Sequence, residues 1–241
     1  MIAAEQFRRR LMSSITSDGG YAIYHADKAM IISTLGEYLR VAGVYFDIEK
    51  VRDIKVNGVS VDKNRIVAMS LDKDNIVEVS YRGLRSLYYA FGRTGVYADA
   101  GGTIGTGAGL RIIDVSRIDT SKVTTMEGMF SLSTVQEIIG LDKLDYSKVR
   151  NMANMFDNSL SGAIPTVDFG DADLSSVETM SRMFMDGEIV RLTMGGRINP
   201  QVDTTEMFAG VTSSGVFRYN ADYDYSNIIN ALPSTWTAQA I

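Results

Sequence analysis

The sequence predicts an α/β fold: a short solenoid of about six strand–turn–helix coils, preceded by a small α+β module at the N-terminus. Three observations predict it. The phrase Met-x-x-Met-Phe recurs as Met126–Phe130, Met152–Phe156 and Met180–Phe184, with a worn copy ending at Met207-Phe208. Its Phe-to-Phe steps of 26, 28 and 24 residues fall in the period range of stacked repeats. Between the phrases runs an apolar triplet spaced L-x-x-L-x-L, and ahead of the repeats stands an Asn57-Gly58 hairpin signal.

The N-terminal module is expected over residues 1–75. Residues 3–12 carry Ala4, Phe7 and Leu11 at amphipathic-helix spacing. A second helix is expected from Asp27, as N-cap, to Ala42, with Ile31, Leu35, Tyr38 and Ala42 on one face and Gly43 after its end. Val44-Tyr45-Phe46 reads as a strand. Ile54–Val56 and Val59–Val61 form a hairpin, because Asn-Gly accepts the positive φ angles of a type I′ turn. A second hairpin is expected from residues 65–71 and 76–81.

The solenoid is expected over residues 76–241. Its triplets are Leu110/Ile113/Val115, Val135/Ile138/Gly140, Ile164/Val167/Phe169, Ile189/Leu192/Met194 and Val216/Tyr219/Ala221, with an earlier copy at Ile76/Val79/Tyr81. After each strand, Val123-x-x-Met126-x-x-x-Phe130 and its counterparts place apolar residues on one stripe of a short helix, and Leu84-x-x-Leu87-x-x-x-Phe91 mirrors them. Ser121, Ser147 and Ser175 precede the stripe as expected caps. One such unit cannot bury its stripe alone, whereas stacked units share a continuous core. From about residue 225 the phrase is lost, and the only tryptophan, Trp236, is expected to cover the last layer.

Composition excludes several functions. The chain has 241 residues, 45% hydrophobic and 22% charged, as in an ordinary globular protein, and no apolar run approaches 18 residues. It has no cysteine, so disulfides and thiolate metal sites are excluded. Residues 1–90 carry a net charge of +2 and residues 91–241 a net charge of −7, which argues against duplex nucleic acid as partner. Arg8–Arg10 reads as a solvated helix face. The sequence has no lipoprotein cysteine and no glycosylation sequon, and neither a secretory signal nor membrane insertion is expected.

Motifs that resemble chemistry are better explained by structure. Methionines at helical spacing beside phenylalanine fill a core rather than bind copper. His25 is the only histidine, which removes zinc sites and imidazole triads, and is expected near the start of the second helix. Asp168-Phe169-Gly170 lacks every other kinase element. The glycine-rich run 101–109 lacks a phosphate-loop ending and reads as an insertion between coils. Asp168, Asp171 and Asp173, and Asp72 with Asp74, are the acidic clusters in which a paired-carboxylate hydrolase or a calcium site would be sought. Neither cluster has calcium-loop spacing, and Asp173 repeats Asp119 and Asp145.

The repeat runs Asp119–Phe130, Asp145–Phe156 and Asp173–Phe184 read D-x-S-x-V-x-x-M-x-x-M-F and resemble the BspA-like leucine-rich-repeat family of bacterial surface proteins, over residues 76–232. The resemblance implies a leucine-rich-repeat-like solenoid with a non-enzymatic surface or adhesion role. Related repeats also occur in fibre-like proteins of viruses that infect gut bacteria. It brings no catalytic residue and no cofactor.

Function is therefore sought on the strand positions that point away from the core. The third positions are Ile112, Glu137, Thr166, Arg191 and Arg218; the fifth are Asp114, Ile139, Asp168, Thr193 and Asn220. A variable column on a regular scaffold is how solenoids present a binding surface. We expect a non-catalytic attachment protein at a virion surface, as a head or tail fibre component. The N-terminal module would contact other structural proteins, and the repeats a cell-surface protein or glycan, with self-association open. The alternative is an exported bacterial surface adhesin with its leader removed. A third reading, of a different class, is a carbohydrate hydrolase using paired Asp.

Overall fold

The computed structural model describes residues 20–26, 30–35, 38–41, 44–47, 51–62, 69–71, 76–81, 87, 110–133, 135–157 and 164–241. The expected helix at 3–12, the Arg8–Arg10 cluster, Asp72, Asp74, Leu84, Phe91 and the glycine-rich run lie outside them. Strands β1 (Gly20–Ala26), β2 (Met30–Leu35), β3 (Tyr38–Val41), β4 (Val44–Asp47), β5 (Val51–Val56), β6 (Val59–Val61), β7 (Met69–Leu71) and β8 (Ile76–Tyr81) come first. The repeat region follows with β9 (Leu110–Ile118), β10 (Glu137–Ile139), β11 (Thr166–Asp168), β12 (Arg191–Met194) and β13 (Gly215–Tyr219). It closes with the helix α1 (Ser226–Ala231) and β14 (Trp236–Ala240).

The expected helix over 27–42 is not formed. Its residues supply β2 and β3, an antiparallel pair that continues to β4 and β7 in a four-stranded sheet. Ile31, Ile32 and Thr34 are β-branched, and their stiff side chains favour a pleated strand over a helix. His25 accordingly lies not at a helix start but in β1, opposite Ile76 and Ile112. The Asn57-Gly58 hairpin forms as expected, with φ of 51° and 81° at its two turn residues. The second expected hairpin does not form: β7 pairs with β2, whereas β8 pairs with β1 and β5 in another sheet.

That other sheet has the order β10-β9-β1-β8-β5-β6. Strands β8 and β9, expected to stack directly, are separated by β1, which is antiparallel to both. Hydrogen bonding therefore runs across residue 75. The later strands form a purely parallel ladder, β11-β12-β13-β14, in which Val167, Leu192 and Phe217 share one inward row and are fully buried. The β14 strand is a further coil edge that sequence reading missed.

The repeats form a β-solenoid of about five turns, and the helix expected in each is replaced by a laddered turn. The amides of Met126, Gly128, Phe130 and Leu132 donate to the carbonyls of Asn151, Ala153, Met155 and Asp157 in the next coil, at 2.8–2.9 Å. The alternate amides, of Met129, Ser131 and Ser133, donate three residues back within their own coil. Met152, Asn154 and Phe156 donate to Thr179, Ser181 and Met183, and Met180, Arg182, Phe184 and Asp186 to Asp203, Thr205, Met207 and Ala209. An α-helix needs every amide to bond four residues back, so a segment that sends every second one sideways cannot be helical. Gly128, Asn154, Arg182 and Glu206, at matching places, take φ of 61°, 55°, 55° and 54°. Leu87 donates to Thr125 as Met126 does to Asn151, so the earlier copy is in register there.

Two side-chain columns hold the turns. The expected serine caps are instead capped: Asp119, Asp145 and Asp173 accept the amides of Ser121, Ser147 and Ser175 at 2.9–3.0 Å. Four residues bridged in parallel, Thr125, Asn151, Thr179 and Asp203, each accept the amide two residues on. These are the local side-chain-to-backbone bonds by which Asp, Asn and Thr favour turns over helix.

The core runs the length of the repeats. Every Val, Met and Phe of the three close phrases is buried. Phe130, Phe156 and Phe184 stack face to face at 5.4 Å with interplanar angles of 5° and 6°. Phe208 continues the stack at 5.4 Å, and Trp236 closes it at 5.4 Å, donating its indole N–H to the Ser213 carbonyl. Gly140, expected as an apolar triplet position, instead takes φ 89° against Ser116, where any Cβ would collide with the Ser116 backbone.

Candidate recognition face

Alternation along a strand sends neighbours to opposite faces. With Val167, Leu192 and Phe217 inside, residues 166 and 168, 191 and 193, and 216 and 218 line the outer face of the parallel ladder. Thr166, Asp168, Arg191 and Arg218 are exposed. Thr193 also points outward, yet it is only 8% exposed, because Asp168 and Arg218 flank it at the same register.

The register corrects one expected column. Arg191 lies opposite Thr166 and Val216, while Arg218 lies opposite Thr193. Arg218 thus belongs to the fifth-position column, and Val216 takes the third position that had been given to it. Asn220 falls beyond β13 and accepts the Asp222 amide at 2.9 Å. The triplet in this coil is therefore not Val216/Tyr219/Ala221; its inward members are Phe217 and Tyr219, paired with Leu192 and Met194. The signal was present in Phe217-x-Tyr219, but Ser214 occupies the first apolar place and hid it. The face also includes Thr237 and Gln239 of β14, both exposed. On the other sheet, Ile112 and Asp114 lie beside Glu137 and Ile139; Glu137 is exposed and the other three are half-buried.

Charge is unevenly held on this face. The Asp114 carboxylate accepts the Ser116 amide within β9 at 2.9 Å, and that of Asp168 accepts the Gly170 amide at 2.8 Å at the end of β11. Among the described residues, Arg191 and Arg218 make no side-chain hydrogen bond and no ion pair. On the turn side Arg150 meets Glu178 at 3.6 Å and Arg182 meets Glu206 at 2.6 Å, each in the next coil.

Two of the carboxylates singled out for hydrolysis, Asp168 and Asp173, accept backbone amides. Asp173 is held below the ordinary carboxylate range by the Ser175 hydroxyl and amide, and Asp203 by those of Thr205. Among the described residues no group of three or more His, Cys, Asp or Glu side chains is placed to hold a metal. No described helix is long and apolar enough to cross a membrane. A shallow groove of about 310 Å³ lies elsewhere, between the Glu206–Ala209 turn and Ala231 and Pro233.

Residues 107–221 match a family described as a Mycoplasma protein of unknown function, DUF285. No curated protein and no solved structure matches the chain.

Proposed function

We propose that this chain is a non-catalytic attachment protein whose repeats display the outer sheet face, with the N-terminal segment anchoring or assembling it. The observation that carries this reading is a division of labour within each coil. The Met and Phe residues of the repeated phrase are buried in every close copy, while the columns between phrases change chemistry from coil to coil at constant strand spacing. The backbone duties of Asp168 and Asp173 support a structural role for the carboxylates that a hydrolase would need. Display by a virion, as a head or tail fibre component, is the form we favour. A cell-surface adhesin is the second form, favoured by the match to a family described from a cellular organism.

The test is to incubate the purified chain with intact bacterial cells and with their isolated polysaccharides. Attachment without any cleaved product is expected. Cleavage that falls when Asp168→Asn or Asp171→Asn is introduced would replace the scaffold by a hydrolase. Mass spectrometry of purified particles separates the two forms: a stoichiometric component supports the virion, and absence from particles with recovery on cell envelopes supports the adhesin.

A further inference from the structure

We propose that the β12–β13 region of the outer face binds an acidic glycan through Arg191 and Arg218; the proposal rests on the display reading and names the ligand class. The register sets these residues diagonally on neighbouring strands, since Arg191 faces Val216 and Thr193 faces Arg218. On such a sheet their Cα atoms lie about 8 Å apart, with both side chains on the same side. Both are exposed and unpaired among the described residues, in a half of the chain whose net charge is −7.

The contrast with the turn side is informative. There Arg150 and Arg182 are each met by a glutamate of the next coil, so the same repeat spacing that supplies partners on one side supplies none on the face. Asp168 lies diagonal to Arg191 on the adjacent strand and two strands from Arg218 across Thr193; its carboxylate receives the Gly170 amide and makes no ion pair with either arginine. Two free guanidiniums at this spacing suit carboxylate or sulfate groups, which each fork meets with paired N–H bonds.

The surroundings select a sugar chain. Thr166, Thr237 and Gln239 offer exposed hydroxyl and amide groups, as sugar hydroxyls require, and Val216 is the one apolar residue among the outward positions of β11 to β14. The columns carry no aromatic ring on which a neutral sugar would stack, so charge must supply the attraction. Four strands make an open ribbon about 15 Å across, which fits an extended chain rather than a small enclosed molecule. An acidic peptide would instead add along a strand edge, such as the outer edge of β14, rather than lie across the face.

The experiment immobilises polygalacturonate, dextran sulfate, neutral dextran and polyglutamate, and measures binding of the whole chain at low salt. Binding to one or both acidic glycans is expected, weakening as salt rises. Arg191→Gln with Arg218→Gln should lower it at least tenfold, with an unchanged unfolding midpoint because both residues are exposed. The proposal is overturned by no binding to either acidic glycan, by equal binding of neutral dextran, by full binding of the double variant, or by binding confined to polyglutamate. Any of these leaves the display reading standing if blocking the face still prevents attachment to cells.

Discussion

Asn154 holds a left-handed backbone, φ 55°, in the middle of a phrase whose apolar spacing is that of a helix. Its environment makes a sharp prediction. In a helix interior, glycine is worse than alanine by about 1 kcal/mol. At positive φ the order reverses, because a Cβ there costs roughly 1–2 kcal/mol. Asn154→Gly is therefore expected to be more stable than Asn154→Ala in denaturant unfolding, and the opposite order would restore the helix. A second residue-scale prediction concerns Asp157. Burial, then the nearby Asp186 carboxylate, raises its carboxyl above the ordinary value of 3.8, with Arg182 opposing, and its Oδ1 has no hydrogen-bond partner among the described residues. A raised carboxyl binds its proton more tightly in the folded state, so ionisation costs stability as pH climbs from that ordinary value through the raised one. Asp157→Asn is expected to raise the thermal midpoint at pH 7, and to lose that advantage when both states are protonated in acid. An equal gain at both pH values would show that charge is not the cause. Neither residue was visible in the sequence: apolar periodicity reports which side chains are buried and is silent on where the amides between them go.

At the scale of the element, the Met-x-x-Met-Phe phrase was correctly recognised as core and wrongly expected to be helical. Residues spaced i, i+3 and i+4 lie together both on a helix and on a tight turn stacked coil upon coil. What decides is the polar column, since Asp119, Asp145 and Asp173, then Thr125, Asn151 and Thr179, bind amides two residues on and turn the chain locally. The 27–42 segment failed in the opposite direction, its helical spacing overridden by Ile31, Ile32 and Thr34. The turn element also has a measurable strength. Phe156 is sandwiched between Phe130 and Phe184 at 5.4 Å on both sides, and Phe156→Ala is expected to cost about 3–5 kcal/mol in denaturant unfolding. A loss below about 1 kcal/mol would mean that the stack does not bear on stability.

For the whole molecule, the repeat period, the parallel stacking and the closing role of Trp236 could all be read from residue spacing. The ladder's last strand could not, because Thr237–Ala240 is short and has no heavy apolar residue. The insertion of β1 between β8 and β9 is a long-range pairing with no local signature. Of the ten residues expected on the outward columns, Thr166, Asp168 and Arg191 lie exposed on the parallel ladder and Glu137 on the other sheet, where Ile112, Asp114 and Ile139 are half-buried; Arg218 falls in the neighbouring column, Thr193 is screened by its flanks and Asn220 lies beyond β13. The most direct measurement of whether scaffold and recognition are separate uses the absence of cysteine. A single Thr166→Cys on the outer face, or Glu178→Cys on the turn side, is coupled to a bulky polymer, and attachment to cells is compared with the unlabelled chain. Both sites are exposed, so both labelled proteins should keep their unfolding midpoint. Attachment lost with the label at residue 166 and kept with the label at residue 178 is the predicted result; attachment kept at 166, or lost equally at both sites, would contradict it.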